Sequence, residues 1–398
     1  MPSAKSKRPN IFLILPDEFR QRALGFRNED PVLTPNLDQL ASESLELEHV
    51  TSTYPVCSPY RGMLMTGRYP YENGVLGNCN SGTAQFDVRL NQHTRCLSDV
   101  MRDLGYDCGY VGKWHLDSPS EEDLPYLEPR RGDGKVWDAF TPPKRRHGFD
   151  YWYSYGCCDQ HLQPHYWRDG DEVDDVRQFA EFSPTVELAE IQKFLRAEDG
   201  RRDPEKPFFL IWAMNPPHMP FDQVPDTYKA LYHEKPAEQL LNSPTLEGEG
   251  WREIPWLTEK RHLNFQAQAK QSVADYFAQV SAVDAHVGEA LKVLKDLSLD
   301  EETIFIFTSD HGELMGSQGL MYKGPWFKDA LQVPFLIRWP HVLPAGVKET
   351  KTYINPPDLF PTLLGALGEE DKIPETVTGR NLSRELQQSI QALMTNSH

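Results

Sequence analysis

Asn10-Ile11-Phe12-Leu13-Ile14-Leu15-Pro16-Asp17-Glu18 is an unbroken apolar run that ends on two carboxylates. It does not alternate polar with apolar, and it is far too short to cross a membrane. It therefore predicts a strand, Asn10 to Leu15, covered on both faces. Phe208 to Ala213, Thr303 to Thr308 and Pro334 to Trp339 read the same way, Leu45 to Val50 alternates like a strand, and Cys108 to Trp114 completes the set. Between them, Asn36 to Ser44, Cys57 to Thr66, Thr94 to Leu104 and Phe265 to Leu297 read as helices. The last carries Val273, Phe277, Val280, Val287, Leu291 and Leu294 on one stripe. Buried strands alternating with helices predict an α/β fold, a mostly parallel central sheet with helices on both faces. In such sheets ligands bind beyond the carboxyl ends of the strands.

The chain has 398 residues, enough for one large α/β core with extras. Its net charge of −18 argues against a nucleic-acid binder and against attachment to anionic lipid. A local cationic pocket for an anion is still allowed. The opening Met1 to Arg8 reads as a short solvated tail, and no apolar segment is long enough for a signal-peptide core or a span, so a cytoplasmic protein is expected. Six cysteines without a CxxC pair do not make a disulfide scaffold, and the adjacent Cys157 and Cys158 read as buried thiols. The 32 prolines exceed the usual share of about 5% and predict long, shaped loops. Two insertions, 117–207 and 216–262, break the rhythm and are expected to wall a cleft. The catalytic unit is expected over 1–370, with a short tail over 371–398 holding a helix, Leu382 to Leu393.

Four stretches carry chemistry. In Cys57-Ser58-Pro59-Tyr60-Arg61, Pro59 fits only in a first helical turn, which puts Cys57 at a helix N-terminus that attracts anions. Arg61, four residues on, shares its face. In Gly112-Lys113-Trp114-His115, strand alternation would put Lys113 and His115 on one face. In Pro217-His218-Met219-Pro220, the prolines frame His218 in a loop after a buried strand. In Thr308-Ser309-Asp310-His311-Gly312-Glu313, with Lys323-Gly324 downstream, Asp310 and His311 follow a buried strand as Asp17 and Glu18 do. Two acidic strand ends meeting in one place repel by roughly 4 kcal/mol at 4 Å and an effective dielectric of 20. A divalent cation removes that cost. Carboxylate-rich ligation favours Ca²⁺ or Mg²⁺, and His311 leaves room for Mn²⁺ or Zn²⁺.

Together these motifs resemble the sulfatase family of the alkaline-phosphatase-like superfamily, from Pro9-Asn10-Ile11 to about Arg380. The resemblance implies that Cys57, in Cys-x-Pro-x-Arg, is oxidised by a maturation enzyme to formylglycine. It implies that Arg61, Lys113, His115, His218 and Lys323 surround the sulfate. It implies that Asp17, Glu18, Asp310 and His311, with residue 57, hold one divalent cation, usually Ca²⁺. The hydrated aldehyde would carry two hydroxyls on one carbon, one to attack sulfur with Asp310 as candidate base, the other to expel sulfate. The leaving alcohol would take a proton from His218 or His115. The substrate would be a small-molecule or saccharide sulfate ester.

Some positions depart from the family pattern. Glu18 stands where Asp or Gln is common, Tyr60 where a small residue is usual, and Cys108 where Ser or Thr is usual. The family's small C-terminal antiparallel subdomain is expected to be absent or truncated. A pocket wall would then be lost or come from a neighbouring subunit, and exposed apolar surface would favour a homo-oligomer. Two rival expectations are a phosphonate monoester or phosphodiester hydrolase of the same superfamily, which lacks the Lys113/His115 pair, and a non-catalytic, truncated relative. The aromatic loop Phe149 to Trp167, with His161, His165 and Arg168, is expected either to stack on a sugar or simply to pack.

Overall fold

The computed structural model describes residues 8–121, 123–124, 127, 133–242, 264–324 and 326–396. The expected tail up to residue 7 and the 243–262 part of the second insertion lie outside the described residues. Ten strands form one sheet among them: β1 (Asn10–Ile14), β2 (Leu45–Val50), β3 (Asp107–Lys113), β4 (Tyr151–Tyr155), β5 (His165–Arg168), β6 (Arg177–Gln178), β7 (Phe208–Ala213), β8 (Thr303–Thr308), β9 (Phe335–Arg338) and β10 (Val347–Ile354). Their order is β10-β2-β9-β8-β1-β7-β3-β4-β5-β6. The central strands β8, β1, β7, β3 and β4 are mutually parallel, with Ile11 opposite both Phe209 and Ile304. The fold is the expected α/β arrangement, a mostly parallel sheet between two helical layers.

Each central strand feeds two cores. Phe12 and Ile14 pack with Val273, Phe277 and Val280 of the helix Phe265–Asp296, while Ile11, Leu13 and Leu15 face Leu64, Val100 and Phe360. Burial on both faces is why these strands lack alternation. The long helix is capped by Asn264, whose side chain accepts from the Ala267 N–H. Its Asp284 accepts from the N–H groups of Asn36 and Leu37, fixing the start of the helix Pro35–Ser42.

The insertion 117–207 is more regular than its composition suggests. It holds β4, β5, β6 and the helix Ser183–Arg196, which buries Val186, Ile191, Phe194 and Leu195. Its aromatic cluster is core: Tyr151, Trp152, Tyr153, Tyr155, Tyr166 and Trp167 are all buried. Aromatic side chains suit a pleated surface, so the packing expectation holds and the sugar-stacking one fails. His161 and His165 are buried as well, and the exposed Arg168 lies beside Asp171. β10 escaped the sequence reading because its polar residues suit an edge strand. The helix predicted from Thr94 begins only at Leu97, where the Asp99 carboxylate accepts from the Cys96 N–H.

Glu187 lies in this core. Burial pushes its carboxyl up to about 8, although the Trp212 indole and the Tyr166 hydroxyl each donate to it at 2.8 Å. Between an unfolded value of about 4.3 and that folded value, the native chain keeps a proton the unfolded chain has lost. Stability therefore falls as pH rises through this window. Glu187→Gln is expected to be close to neutral at about pH 4 and stabilising by roughly 2–5 kcal/mol above about pH 8. Urea unfolding of both proteins at the two pH values checks this, and equal differences at both would contradict it.

Candidate active site

Parallel order brings the chemistry together. The carboxyl ends of β8, β1, β7 and β3 lie side by side, and the residues that follow them are Asp310 and His311, Asp17 and Glu18, Asn215 and His218, and His115, with Lys113 closing β3. β2 runs the same way, antiparallel to β9 as β8 is, so its exit delivers Cys57 to the same edge. There Cys57 opens the fully buried helix Cys57–Thr66, with Pro59 in its first turn as predicted. The Ser58 N–H is taken by Asn78 Oδ1 at 3.1 Å. Gly67, with φ of 64°, ends the helix.

The Cys57 thiol is the hub. Its Sγ lies 3.3 Å from His311 Nε2, 3.6 Å from Asp17 Oδ1 and 4.0 Å from Lys113 Nζ. Burial and the Asp17 carboxylate push the thiol up, against Lys113, Lys323 and a hydrogen bond with His115. An unmodified thiol here is therefore a poor nucleophile near neutral pH. Arg61 Nη2 bridges Asp310 Oδ2 at 3.1 Å and Asp17 Oδ2 at 3.3 Å, while Nη1 donates to the Lys113 carbonyl at 2.7 Å. The anticipated repulsion between the two strand ends is thus offset by a shared guanidinium. Burial alone would raise Asp17, but Lys113 at 2.7 Å, with His218, His311 and Arg61, holds it well below the usual carboxylate range.

Lys113 is also held at 3.0 Å by Asn215 Oδ1. The bend before it requires glycine: Gly112 has φ of 101°, and a Cβ there would stand 2.1 Å from the Ala213 carbonyl oxygen. Beyond Lys113 the strand ends, so the expected alternation does not reach His115. That residue instead takes a positive φ of 53° and sets Nε2 3.1 Å from the Cys79 carbonyl. Both side chains arrive at the centre, by a bend and not by strand period.

Glu18 sits to one side. Its N–H donates to Asp310 Oδ1 at 3.1 Å, but its carboxylate turns to Lys323 Nζ at 2.7 Å and His218 Nε2 at 3.4 Å. Burial pushes Glu18 well up despite Lys323, and the neighbouring Glu313 carboxyl adds to this. His218 Nδ1 lies 2.6 Å from the Met219 carbonyl and 3.6 Å from Asp159 Oδ1, leaving Nε2 toward the site. Tyr276, from the long helix, donates to the Glu18 carbonyl and accepts from the Arg20 N–H, which fixes this turn.

Asp17, Cys57, Asp310 and His311 present ligand atoms all within 4.8 Å of one another, and Asp17, Glu18 and His218 form a second such group. Two buried carboxylates and an imidazole at this spacing are a donor set that could hold a divalent cation. Asp310 already accepts from the Glu18 and His311 N–H groups and from Arg61, which suits a fixed ligand better than the base proposed from sequence. Asn215, Asp159, Glu313 and Tyr276 were missed. Asn215 follows a buried strand as closely as Asp17 does, so the strand-end rule would have found it; Asp159 and Tyr276 carry no such signal.

The Sulfatase family pattern matches residues 9–369. An Endo-4-O-sulfatase of Bacteroides thetaiotaomicron is 39% identical, over 95% of this chain and 73% of its own length. A Ulvan-active sulfatase of Formosa agariphila is 32% identical, over 94% of this chain and 64% of its own length. The structure of a Bacteroides fragilis protein named for the sulfatase yidJ superposes with a TM-score of 0.86 at 36% identity, over 97% of this chain and 79% of that one. Among the described residues, no helix is long and apolar enough to cross a membrane.

Proposed function

Because the chain belongs to the sulfatase family, we propose that it hydrolyses a sulfate ester of a saccharide, using a formylglycine made from Cys57 by a maturation enzyme and one divalent cation, Ca²⁺. The observation that carries this reading is the convergence of Cys57, Arg61, Lys113 and Lys323 with Asp17 and Asp310 in one buried cluster. The saccharide is supported by the two relatives, named for 4-O-sulfate and for ulvan.

Asp17, Asp310 and His311, with residue 57 and with Glu18 alongside, would hold the cation, which would neutralise charge on the ester oxygens and on the nucleophile. Oxygen-rich ligation favours Ca²⁺ over Zn²⁺. Formylglycine would supply two hydroxyls on one carbon, one to attack sulfur and one whose deprotonation expels sulfate. The chain's own residues do the rest. Arg61, Lys113 and Lys323 now balance Asp17, Asp310 and Glu18. With a divalent cation balancing those carboxylates, Arg61, Lys113 and Lys323 would be free to face a tetrahedral anion, the kind of preorganised charge usually largest in such catalysis. His115 is buried beside this cluster, its Nε2 3.1 Å from the Cys79 carbonyl. His218, its Nδ1–H spent on the Met219 carbonyl, offers Nε2 as the proton donor to the departing oxygen.

The test is turnover by matured protein of 4-nitrophenyl sulfate, a 4-O-sulfated disaccharide and a phenyl phosphonate ester. Sulfate esters are expected to be hydrolysed at least about a hundredfold faster than the phosphonate. Chelation is expected to abolish this, and Ca²⁺ to restore it. Preference for the phosphonate, or activity untouched by exhaustive chelation, would overturn the proposal.

A further inference from the structure

The sulfate pit is closed almost everywhere. Asp17, Glu18, Lys113, His115, Asp310 and His311 are fully buried, and the Lys323 side chain, at 15% exposure, is the most open of the group. Glu18 Oε2 lies 2.7 Å from Lys323 Nζ and 3.4 Å from His218 Nε2, so Lys323 and the proton donor stand on the same side of the pit. The alcohol part of a substrate has to leave on that side, since its oxygen must reach His218.

Trp326 is three residues beyond Lys323 and is 78% exposed, the most exposed of the large hydrophobic side chains described. The segment carrying it is tied at both ends to the turn after the candidate ligands Asp310 and His311. The Leu314 N–H donates to the Tyr322 carbonyl at 2.9 Å, and the Gly312 N–H to the Ala330 carbonyl at 2.9 Å. The Tyr322 N–H is also taken by Glu313 Oε1 at 2.6 Å. Gly312 is needed for this docking, because a Cβ there would fall 1.9 Å from the Asp329 carbonyl oxygen. The exposed indole thus lies between two backbone anchors, Tyr322 and Ala330, and only three residues along the chain from Lys323, the most open member of the cluster. Met219, next to His218 in sequence, is 37% exposed.

We propose that Trp326 is a specificity residue that stacks on the sugar ring bearing the sulfate, a contact the sulfate group itself does not make. This rests on the sulfatase reading. A pyranose ring offers an apolar C–H face and a polar edge, and an indole supplies the flat apolar partner at low entropic cost.

Binding to the unmatured, Ca²⁺-loaded protein tests this without turnover. A 4-O-sulfated glycosaminoglycan disaccharide and inorganic sulfate are each titrated by calorimetry into wild type, Trp326→Ala and Trp326→Phe. Trp326→Ala is expected to weaken the disaccharide about tenfold or more and leave sulfate within about twofold; Trp326→Phe is expected to recover most of the loss. Equal weakening of both ligands, or no weakening of either, overturns the stacking role. Absence of turnover in matured wild type would instead strike the parent reading, and the two failures are read in different experiments.

Discussion

Cys57→Ala is expected to yield a folded protein that hydrolyses no sulfate ester, with kcat/KM down by at least about 10⁴-fold. Structure should survive, because the partners of the thiol are held by others: Asp17 by Lys113 and Arg61, and the His311 ring by the Gly312 carbonyl at Nδ1. Loss of one buried sulfur costs about 1–2 kcal/mol. Cys57→Ser is the sharper variant. A serine hydroxyl could accept the sulfuryl group but has no second hydroxyl on the same carbon to expel it. A burst near one equivalent of alcohol, followed by arrest, is expected. Stopped-flow release of 4-nitrophenol measures this. Steady turnover by Cys57→Ser would show that the nucleophile lies elsewhere.

His218→Ala should separate substrates by leaving group. A sugar alkoxide is strongly basic and needs a proton as the S–O bond breaks, whereas nitrophenolate departs without one. Loss of general acid catalysis is expected to cost about 10²–10⁴ in kcat for the saccharide ester and no more than about tenfold for 4-nitrophenyl sulfate. The Nδ1 contact to the Met219 carbonyl, with Glu18 and Asp159 on either side, fixes the ring so that Nε2 faces Glu18 and the site. Equal losses on both substrates would give His218 a binding role and move the acid to His115.

The core strands were legible because a strand buried on both faces has no polar residue to disguise it; Phe208–Ala213 and Thr303–Thr308 have the bounds read from sequence. The helix Cys57–Thr66 was legible through Pro59, which has one tolerable place. Parallel order then placed the motif residues together without knowledge of their contacts. What stayed hidden was set by long-range packing. The aromatics of β4 and β5 look like a ligand platform in sequence, because nothing local says that Tyr151 and Tyr166 will meet the helix Ser183–Arg196 through Phe194, Glu190 and Glu187, or that Trp152 will pack on Tyr110 and Trp114. Glu18 reads as a ligand beside Asp17 that departs from the family pattern, and the positions of Lys323 and His218 are what turn its carboxylate aside. His115 reached the site through a positive φ that strand alternation does not foresee.

Central to this account is a modified residue 57 acting on sulfur. Trypsin should release residues 28–61, ending at Arg61, as one peptide. Its mass, measured on preparations matured to different extents and set against their turnover of a 4-O-sulfated disaccharide, is the direct test. Activity is expected to rise in proportion to the fraction of peptide carrying formylglycine and to vanish where that fraction is zero. Full activity in a preparation whose peptide holds only cysteine, or a fully converted, Ca²⁺-loaded protein inert toward every sulfate ester tried, would contradict it.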